Sequence, residues 1–122
     1  MLSTYAIVAF GGGLGAVSRY ALTQIPFPGS WPFSTLTANL LGALIIGILV
    51  GYGMRHEAPP LLMIGLKTGF CGGFTTFSAF SVETMSMFEA GRWLAASLYI
   101  AASVGLCLGG VFVGKKLALA LF

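Results

Sequence analysis

Charge is what this sequence most lacks. Nine of its 122 residues are formally charged, six basic and three acidic, and aspartate is absent. A soluble domain carries about 25% charged residues, against 7% here. So few ionic groups cannot build a water-facing surface, which excludes a soluble globular enzyme. Histidine occurs once and cysteine twice. Cys71 and Cys107 lie deep in apolar stretches with no partner at ligand spacing, and they read as buried thiols rather than a metal site or a disulfide. The net charge of +3 is scattered, with no basic run to follow a phosphate backbone, so a nucleic-acid partner is excluded. The N-terminus lacks a basic region before its apolar run, and its first charged side chain is Arg19. It is expected to be a retained first span rather than a cleaved signal peptide.

Apolar length is what the sequence has. Hydrophobic residues make up 57% and the mean hydropathy is +0.97. About 20 mostly apolar residues cross the hydrocarbon core as a helix. Four stretches meet that length: approximately 3–24, 33–54, 61–88 and 93–114. Gln24 to Gly29 with its two prolines and Arg55 to Pro60 separate the first three, and residues 89–92 lie between the last two. Transmembrane strands run about ten residues and alternate in polarity; these runs are longer and do not alternate. The expected fold is an all-α membrane protein of four transmembrane helices, forming a single domain over residues 1–122.

Glycine sits inside the spans. Gly11 and Gly15, Gly47 and Gly51, Gly65 and Gly69, Gly105 and Gly109, and Gly110 and Gly114 are pairs four apart. Such pairs let helix backbones approach closely in lipid. Gly12 and Gly13 beside them do not make a dinucleotide loop, because no strand precedes and no acidic ribose partner follows.

The informative residues are polar ones at membrane depth. Asn39 lies about a third of the way into the second span, one turn after Thr35, and an amide there needs a partner. It serves either an interhelical hydrogen bond or a solute passing through. In the third span, Gly72-Gly73-Phe74-Thr75-Thr76-Phe77-Ser78-Ala79-Phe80-Ser81 combines adjacent glycines with a Thr-Thr pair, both poor helix propagators. This predicts a break near residues 72–76, which membranes tolerate only where protein or a cavity satisfies the freed backbone. Phe77 and Phe80 share a face just after it. Tyr99, Ser103 and Cys107 form a thin polar stripe on the fourth span, lining a path or stitching helices together. Arg19 either snorkels to the interface or sets a positive field at a pore mouth, and Glu83 is expected near an exit. No acid occupies the centre of the first, second or fourth span, which weighs against a proton-coupled exporter.

Three stretches in this order resemble the Fluc (CrcB) family of fluoride channels: Gly12 to Tyr20, Thr35 to Gly42, and Gly69 to Ser81. The resemblance covers nearly the whole chain. It implies a passive, highly selective channel, not an enzyme, that exports fluoride across a bacterial-type inner membrane and lowers its intracellular level. It also implies an antiparallel, dual-topology homodimer. It implies pore-lining roles for Asn39, Phe77, Phe80, Tyr99 and Ser103, joined by the neighbouring hydroxyls Ser78 and Ser81. Arg19 matches the family's basic residue of the first span. Gly72 and Thr75 match the positions whose backbone carbonyls hold a structural sodium ion at the dimer centre. Ala79 and Cys107 depart from the family pattern, where hydroxyl residues are common. A small dimeric multidrug exporter and a non-transporting membrane assembly subunit are the alternative readings.

Charge balance generates a test of topology. Arg55, Lys115 and Lys116 flank one side and Arg19 and Arg92 the other, with Lys67 adding to the first. Orientation follows the basic-residue bias of short loops, and this bias is weak. A cysteine introduced at the C-terminus, with Cys71 and Cys107 replaced, should be labelled from both faces in populations of similar size. Labelling from a single face of uniformly oriented vesicles would refute dual insertion.

Overall fold

The computed structural model describes residues 1–122, and all of its regular structure is helical. Helix α1 spans Leu2–Thr23 and α2 spans Phe33–Gly53. The third helix is composite: α3 over Pro60–Ile64, a π-wound segment over Gly65–Cys71, and a last turn, α4, over Gly72–Phe74. After a two-residue break, α5 covers Phe77–Glu89, and α6 covers Trp93–Leu121. Three of these, α1, α2 and α6, are long and apolar enough to cross a membrane by length and composition. The third helix is bent at the break, where the glycines and threonines predicted one.

Glycine decides which helices touch. A Cβ on Gly11 would collide with the carbonyl of Gly65, and one on Gly15 with the carbonyl of Phe70. Gly73 meets the carbonyl of Gly12 from the other side. The first helix and the first half of the third are therefore in backbone-to-backbone contact. The same holds for α2 and α6, where Gly47 faces the Val111 carbonyl, Gly114 the Leu44 carbonyl, and Gly51 the Lys115 carbonyl. Gly105 and Gly109 behave differently: apart from their own turns of helix, nothing in the subunit lies within 4 Å of a Cβ built on either. They face away from the bundle.

The π winding was not foreseen. Its hydrogen bonds step by five residues rather than four, so positions four apart stay more nearly in line than on an α-helix. Gly65, Gly69 and Gly73 are such positions, and each is in contact with α1 at Ile7, Gly11 or Gly12.

The fourth helix also runs beyond the residue 114 boundary expected of its span. Lys115 and Lys116 end an apolar run but are good helix formers, and no glycine or proline follows them. The extension ends where Phe122 packs edge-on against Tyr52, with ring centroids 5.7 Å apart, and its carbonyl lies 3.1 Å from His56 Nε2. At the opposite end the α5–α6 turn requires a positive φ of 76°, supplied by Gly91.

These contacts generate a paired prediction. Gly47→Val inserts atoms into a backbone contact and should destabilise the subunit by about 1–3 kcal/mol, or prevent folding. Gly105→Ala should leave intrahelical packing within the subunit intact. Thermal unfolding in detergent compares them, and an unchanged midpoint for Gly47→Val would mean that α2 and α6 are not in this register.

Candidate functional site

Two extended residues make the break. Thr75 has φ −89° and ψ 156°, and Thr76 has φ −150° and ψ 119°. Both are β-branched and favour this region. Asn39, projecting from α2, holds them there: Thr76 N–H donates to Asn39 Oδ1 at 2.7 Å, and Asn39 Nδ2 donates to the Thr76 carbonyl at 3.0 Å. The side-chain amide thus replaces a missing backbone neighbour on both sides. Thr76 then starts α5 as its N-cap, its Oγ1 accepting from the Ala79 N–H at 3.1 Å. Asn39 is therefore an interhelical hydrogen bonder. An amide nitrogen carries two donors, so one N–H is left over.

The clamp redistributes carbonyls. In an unbroken α-helix Thr76 N–H would donate to Gly72 and Ala79 N–H to Thr75. Here Asn39 and the Thr76 hydroxyl take those donors. The Gly72 and Thr75 carbonyls consequently accept no hydrogen bond within the subunit. The Gly73 carbonyl is satisfied by Arg19, whose Nε donates to it at 3.3 Å. Arg19 is half-buried and turned inward to the break.

A groove of about 480 Å³ runs along this region. Asn39, Gly72, Thr75, Phe77, Phe80 and Ser103 all border it. Phe77 and Phe80 are 5.4 Å apart between ring centroids, tilted by 48°, and Phe77 is 78% exposed on the side of the subunit. Ser103 is buried, and its hydroxyl is the one buried side-chain polar atom without a hydrogen-bond partner. Cys71 and Cys107 also reach the groove as free thiols, the first buried and the second half-buried.

Ser78, Ser81 and Tyr99 do not border it. The Ser78 hydroxyl pairs with that of Thr76 at 3.1 Å, and Ser81 Oγ donates to the Phe77 carbonyl at 2.9 Å. Tyr99 is fully buried behind Phe80, with their centroids 5.1 Å apart. Its hydroxyl donates to Glu83 Oε2 at 2.7 Å, while Thr35 Oγ1 donates to Glu83 Oε1 at 2.6 Å. Glu83 is thus held on both oxygens between α2 and α6. This network escaped the sequence reading, although Thr35 stood out for its spacing from Asn39, because nothing in a sequence pairs residues 35, 83 and 99. Trp31, from the α1–α2 loop, closes it by packing edge-on against Tyr99 at 5.7 Å.

The family model described as CrcB-like protein, Camphor Resistance (CrcB), matches residues 6–115. The chain belongs to the CrcB family. Its CrcB relatives include the fluoride-specific ion channel FluC of Rhizobium johnstonii, 44% identical over 119 residues, covering 94% of this chain and 95% of that protein. FluC 2 of Bacillus subtilis is 44% identical over 121 residues, covering 96% and 92%. FluC of Campylobacter jejuni is 40% identical over 117 residues, covering 93% and 96%. With three membrane-length apolar helices, this CrcB protein is a multi-pass protein of the bacterial inner membrane.

The clamp predicts a local change in protection. Asn39→Ala removes both bonds to Thr76, so the Thr76 amide should exchange with solvent faster by the factor that losing about 1 kcal/mol implies. Asn39→Asp retains the acceptor and should preserve more of that protection. Hydrogen exchange resolved to the 74–79 segment measures both. Unaltered protection in Asn39→Ala would show that the break does not depend on the clamp.

Proposed function

We propose that the protein is a passive, fluoride-specific channel whose path follows the groove beside the break. The observation that carries this is the orphaned Ser103 hydroxyl, buried on the groove wall along which Asn39, Phe77 and Phe80 lie. A buried donor without a partner costs free energy, which a passing anion recovers. Fluoride is small and strongly hydrated, so it needs close donors in place of water. The spare Asn39 N–H and the Ser103 hydroxyl supply them, and the positive edges of Phe77 and Phe80 add weak attraction. Weak, successive contacts allow entry and release alike. A negative cell interior drives the anion outward with about 2.3 kcal/mol per charge for each 100 mV. No coupled proton is needed. The exporter alternative needs an accessible titratable acid, and Glu83 has both oxygens occupied by Thr35 and Tyr99.

The working unit in this proposal is a pair of four-span subunits inserted antiparallel. Supporting it are the 78% exposed Phe77 ring and the outward Gly105 and Gly109, which leave one side of the bundle uncovered. The Gly72 and Thr75 carbonyls are oxygen donors without a hydrogen bond, and no group of His, Cys, Asp or Glu stands by to hold a divalent metal. A neutral oxygen set of this kind fits a monovalent cation such as sodium. When bound, sodium would supply fixed positive charge between the subunits and satisfy those carbonyls. Glu83, Tyr99 and Thr35 hold α2, α5 and α6 in place beside the path, and Arg19 holds the break from behind.

Liposomes containing only this protein test the proposal. Fluoride efflux should require a charge-balancing ionophore but no proton gradient, and chloride should pass far more slowly. Ser103→Ala removes one oxygen and should fold normally. A hydrogen bond to a charged acceptor is worth about 1.5–3 kcal/mol, so flux should fall about tenfold or more. Phe77→Ile and Phe80→Ile keep apolar bulk but remove ring edges, and at least one should be impaired. Replacing sodium by a large organic cation should also lower dimer stability in the same preparation. Chloride flux equal to fluoride flux, or strict proton dependence, would overturn the channel reading; stability indifferent to sodium would remove the cation alone.

A further inference from the structure

Lys67 borders two separate cavities of the subunit. The first is the groove that carries Asn39 and Ser103. The second is a hollow of about 660 Å³ between the end of α2 and the start of the third helix, reached by Val50, Gly53, Glu57 and Met63. The lysine lies in the π-wound segment, eight positions before Thr75, and is half-buried. Glu57 shares the hollow, yet no ion pair joins it to Lys67. His56, also in the hollow, has its Nε2 on the Phe122 carbonyl. An ammonium without an ion-pair partner therefore stands where two cavities meet.

An ionisable group at membrane depth that faces a cavity rather than a partner marks an ion path. We propose that Lys67 is the recruitment site for the permeating anion, with the hollow as the vestibule of the groove. This inference rests on the channel proposal and adds an entry step to it. Low-dielectric walls focus the field of a single charge and raise the local concentration of ions of opposite sign. A lysine suits the task because its ammonium is a compact point charge on a flexible stem with three donors. It draws in a small hydrated anion without the fixed, two-pronged grip an arginine makes. Glu57 shares the hollow but forms no ion pair with it, so its ammonium stays free to meet an anion. The competing destination for the same ammonium is a lipid phosphate at the interface, and the test separates the two.

The full-length protein in liposomes is compared with Lys67→Gln and Lys67→Arg at low and saturating fluoride, and at low and high ionic strength. At low fluoride and low ionic strength Lys67→Gln should lose about threefold or more of the flux. The loss should vanish at saturating fluoride and shrink with added salt. Lys67→Arg should keep most of the native rate. Lys67→Cys, with Cys71 and Cys107 replaced, removes any ambiguity from misfolding. Attaching an aminoethyl group to the assembled protein should raise its low-fluoride flux, and attaching a neutral methyl group should not. Native flux in Lys67→Gln at every concentration would overturn the proposal and assign the ammonium to lipid. A loss that neither salt nor the added amine alters would overturn it in favour of a packing role. Absence of fluoride flux in the native protein would instead refute the channel reading itself.

Discussion

A break in a membrane helix is sustainable only if something supplies hydrogen bonds to the backbone it exposes, since lipid supplies none. In this protein that something is the Asn39 side chain, which pairs with both polar groups of the Thr76 backbone. Much of the site follows from that pairing. Because Thr76 donates sideways to α2, its usual acceptor, Gly72, is left open; because its hydroxyl caps α5, so is Thr75. Gly73, the remaining glycine carbonyl at the break, is met by Arg19 from α1. One amide thus converts a flaw in a helix into a fixed arrangement of donors and acceptors.

The bundle is organised to keep that arrangement still. Backbone contact between α1 and the π-wound segment, and between α2 and α6, leaves little freedom for sliding, since interlocked glycine rows have no side chains to reorganise. The Glu83 carboxylate ties α2, α5 and α6 at the other end of the groove. This half-buried carboxylate has both oxygens bonded, which offsets its loss of water.

The same geometry separates residues with similar credentials. Ser78, Ser81 and Ser103 are all hydroxyls at membrane depth. The first two spend their hydrogen bonds on Thr76 and Phe77, close by in the chain. Ser103 has no such outlet. Tyr99 shares the α6 stripe with Ser103 but turns into the core to hold Glu83. Residues four apart share a helix face, yet what each meets depends on the neighbour opposite.

The sequence by itself determined the class and the place of the break. Too few charges for a water-facing surface, four apolar stretches of membrane length, and Gly-Gly and Thr-Thr in mid-span are local properties, and local propensity suffices to read them. The Asn39 position was legible as costly, because an amide in hydrocarbon must find a partner. Which partner it found was not. The Thr35–Glu83–Tyr99 network, the inward turn of Arg19 and the meeting of two cavities at Lys67 join residues distant in the chain, and no spacing rule encodes them. The π winding was also beyond reach, since no local residue pattern distinguishes it from an α-helix. Helix existence is written in composition and period; contact between helices is decided only when their surfaces are brought together, because hydrogen bonding and close packing act over distances that the chain does not specify until it folds.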